Sequence, residues 1–278
     1  MAARKNRATS APAHGSTSDL GSTSAKKSGF MTRLIFVVAA IVLILCLAAL
    51  ALFGLQYCVQ QKAYDDLESY ADTSTLNLAD LKVDWEGLSA INPDICAWIY
   101  IPDTKVSYPV LRKQDAENPY DDYYLSHTAE GQNGLPGSIY VEPCNAGDFS
   151  DNNTVVYGHH MKNGTMFGSL HEYQDESYME KHPYVYVITP ERERVYQVFA
   201  AIAYDDRHLM GSFASFTEPE EREAFLSSLK ENGDETDVIR EDIAVTADSK
   251  LLTLSTCIKN QSEKRLLVEA VQVYESET

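Results

Sequence analysis

Residues 34–55 run for 22 positions without a charged side chain. No other stretch limits the possible folds of this chain as much. At about 1.5 Å per residue, a helix of that length covers the ~30 Å hydrocarbon core of a bilayer. A lone span in lipid must be helical, because its backbone N–H and C=O groups have no other partners there. The six basic residues of the first 55 (Arg4, Lys5, Arg7, Lys26, Lys27 and Arg33) all precede the run, and Asp65, Asp66 and Glu68 follow it. The positive-inside rule then predicts a single-pass protein of the cell membrane, with residues 1–33 cytoplasmic and the chain from 56 onward outside. Residues 1–33 are rich in Ser, Thr, Ala and Gly without hydrophobic period and read as a disordered tail. A cleaved signal peptide is the competing reading, since Ala49-Leu50-Ala51 imitates a cleavage site, but 22 apolar residues exceed the usual h-region. Bulky Leu45 and Tyr57 before Cys46 and Cys58 argue against lipidation at either cysteine.

Beyond the apolar run the balance of charge reverses. The net charge of −18 is carried downstream, where 17 basic and 40 acidic residues give −23. So acidic an outer part excludes nucleic acid and anionic lipid as partners. It suits a cationic substrate or simple solubility. Polar helix formers with Tyr57, Leu67 and Tyr70 near helical period predict a helical stalk over residues 56–83. A short helix capped by Asp84 then ends at Asn92-Pro93.

From residue 95 the period changes to that of strands. Residues 95–101, 106–111, 137–142, 154–157, 184–188, 195–204, 243–246, 251–256 and 266–273 alternate or concentrate β-branched and aromatic side chains. Many short strands at this spacing predict a mainly β barrel or sandwich, not alternating βαβ units. Helical pieces interrupt them at 166–173 and 176–181, the latter with Asp175 as cap. A further helical insertion precedes the 251–256 strand. Thr217-Glu218-Pro219-Glu220 fits a capping box, Phe225, Leu226 and Leu229 form one apolar face, and Asn232-Gly233 suggests a left-handed stop.

Two stretches carry chemistry. In Leu251-Leu252-Thr253-Leu254-Ser255-Thr256-Cys257 parity places Leu252, Leu254 and Thr256 on a core face and Leu251, Thr253, Ser255 and Cys257 on a polar one. Cys257 thus ends a strand where it can meet solvent, although a lone cysteine is as readily structural. In Asn153-Thr154-Val155-Val156-Tyr157-Gly158-His159-His160 an apolar strand reaches a glycine that lets the backbone bend, then presents two histidines. A thiol needs such a base to act as a nucleophile, and only one of two adjacent histidines can face it. Arg265 would add a permanent cation with five donors, and Lys264 is the alternative cation. The remaining cysteines, Cys96 and Cys144, are free to pair in an oxidising exterior, and no Cys-x-x-Cys suggests zinc. His127, His171, His182 and His208 read as surface or capping residues. Tyr120, Tyr123 and Tyr124 form a cluster open to either groove-lining or core roles.

Together Thr253-Leu254-Ser255-Thr256-Cys257, Tyr157-Gly158-His159 and Arg265 resemble the sortases, cysteine transpeptidases of Gram-positive cell surfaces. The Gly-His-His-Met…Met-Phe-Gly run at 158–168 and the helical insertion resemble class B in particular. The likeness spans residues 84–275. It implies a closed β-barrel of about eight strands over residues 84–278, with the insertion walling a substrate groove. It also implies His159, Cys257 and Arg265 as catalytic residues, with Ser255 and Thr256 beside the substrate, and no metal or organic cofactor. The implied reaction cleaves a C-terminal sorting signal after threonine through a thioester. Arg265 and a backbone N–H near Cys257 meet the oxyanion, and the acyl group passes to an amine of the cell wall or to a pilin lysine. A thiol hydrolase using the same residues, and a membrane-tethered binding domain with a structural Cys257, are the two alternatives.

Overall fold

The chain divides into two units, Met1–Leu55 and Gln56–Thr278, in a computed structural model that describes residues 24–68, 70–72 and 82–277. The first 23 residues of the expected tail lie outside the described residues, and the last ten of it are helical. Helix α1 (Ser24–Glu68) is continuous, and the most apolar stretch of its segment Arg33–Val59 has a mean hydropathy of 3.3 with none of that stretch buried. It is long and apolar enough to cross a membrane.

The predicted helical stalk is only partly helical. It ends at Glu68, and β1 (Ala71–Asp72) pairs antiparallel with β2 (Lys82–Val83). Tertiary packing overrides helical propensity here, because Leu67 and Ala71 bury against the domain core and the chain turns between them. Helix α2 (Trp85–Ile91) starts as its sequence predicts, with the Gly87 N–H donating to Asp84 Oδ1 at 2.9 Å.

Eight strands close into a barrel. They are β3 (Ile95–Tyr100), β4 (Ser107–Arg112), β5 (Ile139–Val141), β6 (Asn153–Tyr157), β7 (Tyr184–Ile188), β8 (Arg192–Asp205), β10 (Leu251–Ile258) and β11 (Gln261–Glu277). Their order is β11-β10-β6-β5-β4-β3-β7-β8, and β8 pairs back onto β11 to complete the ring. The β4–β5 and β6–β10 pairs are parallel, and the other neighbours antiparallel. A two-residue β9 (Val238–Ile239) is appended to β8. The strand expected at 243–246 does not form. Ile243 and Val245 instead pack their side chains beneath the insertion.

There are two apolar clusters. One, centred on the barrel, includes Trp98, Ile99, Val110, Leu252, Leu254 and Val268. The other lies between the outer face of β6, β8, β10 and β11 and the helical insertion, which comprises α4 (Leu209–Ser212) and α5 (Pro219–Glu231). It joins Val155, Ile202, Leu251 and Leu267 to Phe213, Phe216, Phe225 and Leu229. Strands covered on both faces lose the apolar/polar alternation of a half-exposed sheet. The insertion is tied down differently from the capping box that its sequence suggests. Glu218 is the N-cap without a side-chain bond, while buried Arg222 donates Nη1 to the carbonyls of Phe216 (3.0 Å) and Thr217 (2.8 Å). Asn232 ends α5 in right-handed geometry, its Nδ2 donating to Ser228 O at 2.9 Å, so the expected left-handed stop is absent. Helix α3 (Glu176–Lys181) keeps its predicted Asp175 cap, which accepts from the Tyr178 N–H at 3.1 Å.

Candidate active site

Strand β10 is buried from Leu251 to Thr256 and emerges only at Cys257, which is exposed. The parity expected for this strand needs one correction. Leu252 and Leu254 do face the barrel interior, but Leu251, Thr253 and Ser255 face the insertion side, not solvent. Thr253 meets that burial by donating to Glu269 Oε2 at 2.9 Å, and its Oγ1 also lies 3.1 Å from Asn153 Oδ1. Cys257 is accessible because the strand outruns its cover. The other two cysteines of the barrel, Cys96 and Cys144, are unpaired. Burial pushes both the Cys96 and the Cys144 thiol up to about 12, so neither supplies thiolate near neutral pH.

The histidine loop is shaped by close approach. A Cβ at Gly158 would lie 2.5 Å from Ile139 Cδ1 and 2.7 Å from Phe167 Cδ2, so space, not a left-handed backbone, demands glycine there. A Cβ at Gly168 would lie 2.4 Å from the Met161 carbonyl. The loop closes on itself through the Phe167 N–H to His159 O bond (3.0 Å) and is held from outside by Tyr108 Oη, which accepts from the Met166 N–H at 2.9 Å. His159, half-buried, donates Nε2–H to the Leu125 carbonyl at 2.7 Å. That bond fixes its tautomer and leaves Nδ1 as the nitrogen free to exchange a proton. Leu125 sits in a 3-10 turn (Tyr123–Leu125) anchored by buried Tyr124, whose hydroxyl donates to Asp94 Oδ2 at 2.6 Å. Tyr124 is therefore a core anchor, and Tyr123 stacks on His127 at 3.8 Å.

Arg265 stands directly opposite Cys257 in the antiparallel β10–β11 register. Its Nη1 donates to the carbonyls of Ser262 (2.8 Å) and Lys264 (2.9 Å), which orients the guanidinium and leaves Nε and Nη2 for other partners. Lys264 instead pairs with Asp234 at 3.0 Å and does not line the cleft.

His159, Cys257, Arg265, Ser255 and Thr256 all line one cleft of about 250 Å³. The structure thus brings together the five residues singled out in the sequence. Thr256 Oγ1 is buried and has no partner among the described residues. A larger cavity of about 450 Å³ beneath the insertion, lined by Phe199, Leu226 and Ile239, presents neither thiol nor imidazole. The far wall of the smaller cleft holds a pair whose contact the sequence does not mark, although His208 takes the capping role expected of it. His208 Nε2 lies 2.8 and 2.9 Å from the two Glu142 oxygens, while its Nδ1 accepts from the Gly211 N–H at 3.0 Å and caps α4. Burial pushes the Glu142 carboxyl up, and the His208 hydrogen bond offsets this only in part. Tyr120 packs edge-on against His208 with ring centroids 4.4 Å apart. The pair ties the start of the insertion to the end of β5, and both residues line the cleft. Also unforeseen is His171, whose Nε2 reaches the Cys257 carbonyl at 3.0 Å.

A family model described as the sortase domain matches residues 99–273. The chain is 28% identical over 204 residues to sortase B of Listeria monocytogenes, covering 71% of this chain and 78% of that protein. Among solved structures it is similar to a Staphylococcus aureus sortase B–substrate complex, with TM-score 0.57 and 30% identity, over 68% of this chain and 83% of that one. It is also similar to sortase B from Bacillus anthracis in complex with AAEK1, with TM-score 0.63 and 28% identity, over 79% and 99% of the two chains.

Proposed function

This chain belongs to the sortase family of cysteine transpeptidases, as a class B member, and from that premise we propose a specific division of labour in its cleft. The Cys257 thiolate attacks the carbonyl carbon of a threonine in the sorting signal of a surface protein or pilin. A C–S bond forms as the carbonyl π pair moves onto oxygen. Arg265 stabilises that oxyanion through the donors its Ser262 and Lys264 contacts leave free, in a cleft where a fixed cation acts more strongly than in water. As the intermediate collapses the C–N bond breaks, and protonated His159 gives its Nδ1 proton to the leaving amine. The Leu125 carbonyl holds Nε2–H in both protonation states, so the ring keeps its orientation while it cycles. An amine of the cell wall or a pilin lysine then attacks the thioester and His159 takes its proton. The C–S bond breaks to return the thiolate. Ser255 and Thr256 form the cleft wall beside the acyl group.

The observation that carries this reading is that the one exposed thiol of the barrel shares a cleft with a carbonyl-oriented histidine and a cross-strand arginine. The apolar span of α1 supports the rest of the proposal, a single-pass anchor in the cell membrane with the barrel outside. The test is to incubate the full chain in detergent with Thr-containing sorting-signal peptides, with and without an added amine such as triglycine. Transpeptidation gives a new amide product when the amine is present. Hydrolysed peptide in both arms, with no amide, would make the protein a thiol hydrolase.

A further inference from the structure

The parallel β6–β10 ladder stops one step short of the nucleophile. Its last residue pair is Tyr157 with Ser255, and its last hydrogen bond runs from the Gly158 N–H to the Ser255 carbonyl at 3.1 Å. Carbonyls two residues apart on a strand point the same way. The next acceptor on that side is therefore the carbonyl of Cys257, where β6 has already turned into the histidine loop. On its other side Cys257 still pairs with Arg265 of β11, but the register shifts immediately after it, between Cys257 and Ile258, and the following turn has Asn260 at φ 61°. The residue bearing the thiol thus sits where the sheet has lost one of its two neighbouring strands.

Two imidazoles occupy the place of the missing strand. His160 Nδ1 lies 3.2 Å from the Cys257 carbonyl oxygen, and His171 Nε2 lies 3.0 Å from the same atom. A carbonyl has two lone pairs and can accept both, which requires His160 to carry its hydrogen on Nδ1 and His171 on Nε2. The two rings stack with centroids 4.1 Å apart. They come from different elements, one from the loop after β6 and the other from the 3-10 turn Gly168–Gln174. Burial holds His171 below the ordinary histidine range; the bond to Cys257 works against that shift, and neighbouring His160 works with it.

We propose that His160 and His171 act together as positioning residues, a two-donor clamp on the Cys257 carbonyl that sets where the thiol stands in the cleft. The clamp rests on the reading of Cys257 as nucleophile. It explains why the second histidine of the pair is next to the first without sharing its task. His159 handles the proton, while His160 holds the backbone of the group that attacks.

The test uses the full chain in detergent and the sorting-signal peptide that the wild type cleaves fastest. Loss of one hydrogen bond predicts that His160→Ala and His171→Ala each lower kcat about tenfold, equivalent to about 1.4 kcal/mol, with little change in KM. An amide N–H can stand in for each ring donor: Asn places one near Nδ1 and Gln near Nε2. His160→Asn and His171→Gln should therefore recover most of the loss, which mere filling of space would not do. Backbone hydrogen exchange read by mass spectrometry should quicken in the two alanine variants over residues 257–262 and remain unchanged in the barrel strands. Normal kcat in both alanine variants overturns the clamp. So does loss that the amides fail to rescue, or exchange that quickens throughout the domain. Cys257→Ala separates this from failure of the premise: a variant that still turns over removes the nucleophile, and the clamp's purpose with it. An inactive Cys257→Ala beside normal histidine variants removes the clamp alone.

Discussion

Replacing Glu269 by Gln should stabilise the protein near neutral pH, and increasingly so as pH rises toward 8. Glu269 is fully buried on β11, on the face covered by the insertion. Its Oε2 accepts from Thr253 at 2.9 Å, while its Oε1 has no partner among the described residues. Burial pushes its carboxyl up to about 8, against the Thr253 hydrogen bond. The sign follows from proton counting. Between the ordinary glutamate value of about 4.3 and about 8, the folded state holds a proton that the unfolded state has released. Stability is thus fully present below about 4.3 and falls by roughly 1.4 kcal/mol per pH unit as pH rises toward 8. By pH 7.5 this amounts to about 4 kcal/mol, on the order of 10 °C in Tm for a domain of this size. Gln is the neutral isostere of the protonated acid, but its amide leaves two N–H donors unpaired where the acid leaves one, so it should fall slightly below the wild type at pH 4 and exceed it at pH 7.5. Thermal melts of the two proteins in detergent across that range give the gap directly, with other titrating groups cancelling. A gap independent of pH, or one that shifts toward the wild type as pH rises, would refute the reasoning.

Three kinetic predictions accompany it. His159→Ala should lower activity by ~10²–10⁴-fold, as for removal of a general acid and base, against about tenfold for His160→Ala; the reverse ranking in turnover assays would make His160 the base. Arg265→Ala should reduce kcat by ~10²–10³-fold with KM little changed. Arg265→Lys should recover little of that, since it keeps the charge but loses the planar fork; a raised KM at normal kcat would assign Arg265 to holding the peptide instead.

How far the sequence reveals this molecule depends on which forces act locally. The barrel strands were legible because Leu252, Leu254 and their counterparts repeat with a period of two. The outer face of β10 was not. Leu251, Thr253 and Ser255 look like an exposed edge until Phe225 and Leu229 of α5 cover them, and Thr253 then finds Asn153 and Glu269. The helical stalk expected to reach residue 83 stops at Glu68 because Leu67 and Ala71 bury in the barrel unit, a contact that helical period does not encode. Within the cleft, Cys257, His159 and Arg265 were legible because their chemistry depends on side-chain type. The Leu125 carbonyl that orients His159 could not be, since any residue supplies a carbonyl. His171 gave no sign either: its bond to the Cys257 carbonyl joins residues 86 apart, and no spacing rule links a 3-10 turn to the end of a strand. Glu142 and His208 are 66 apart, one following β5 and the other capping α4.

The most direct test of the account is to trap the acyl-enzyme. The full chain in detergent is mixed with a cleavable sorting-signal peptide in the absence of amine, quenched in acid, digested and mapped by mass spectrometry. The account predicts the peptide's acyl fragment as a thioester on Cys257, lost when triglycine is added before the quench. An acyl adduct on Cys96 or Cys144, or cleavage that continues in Cys257→Ala, would contradict it.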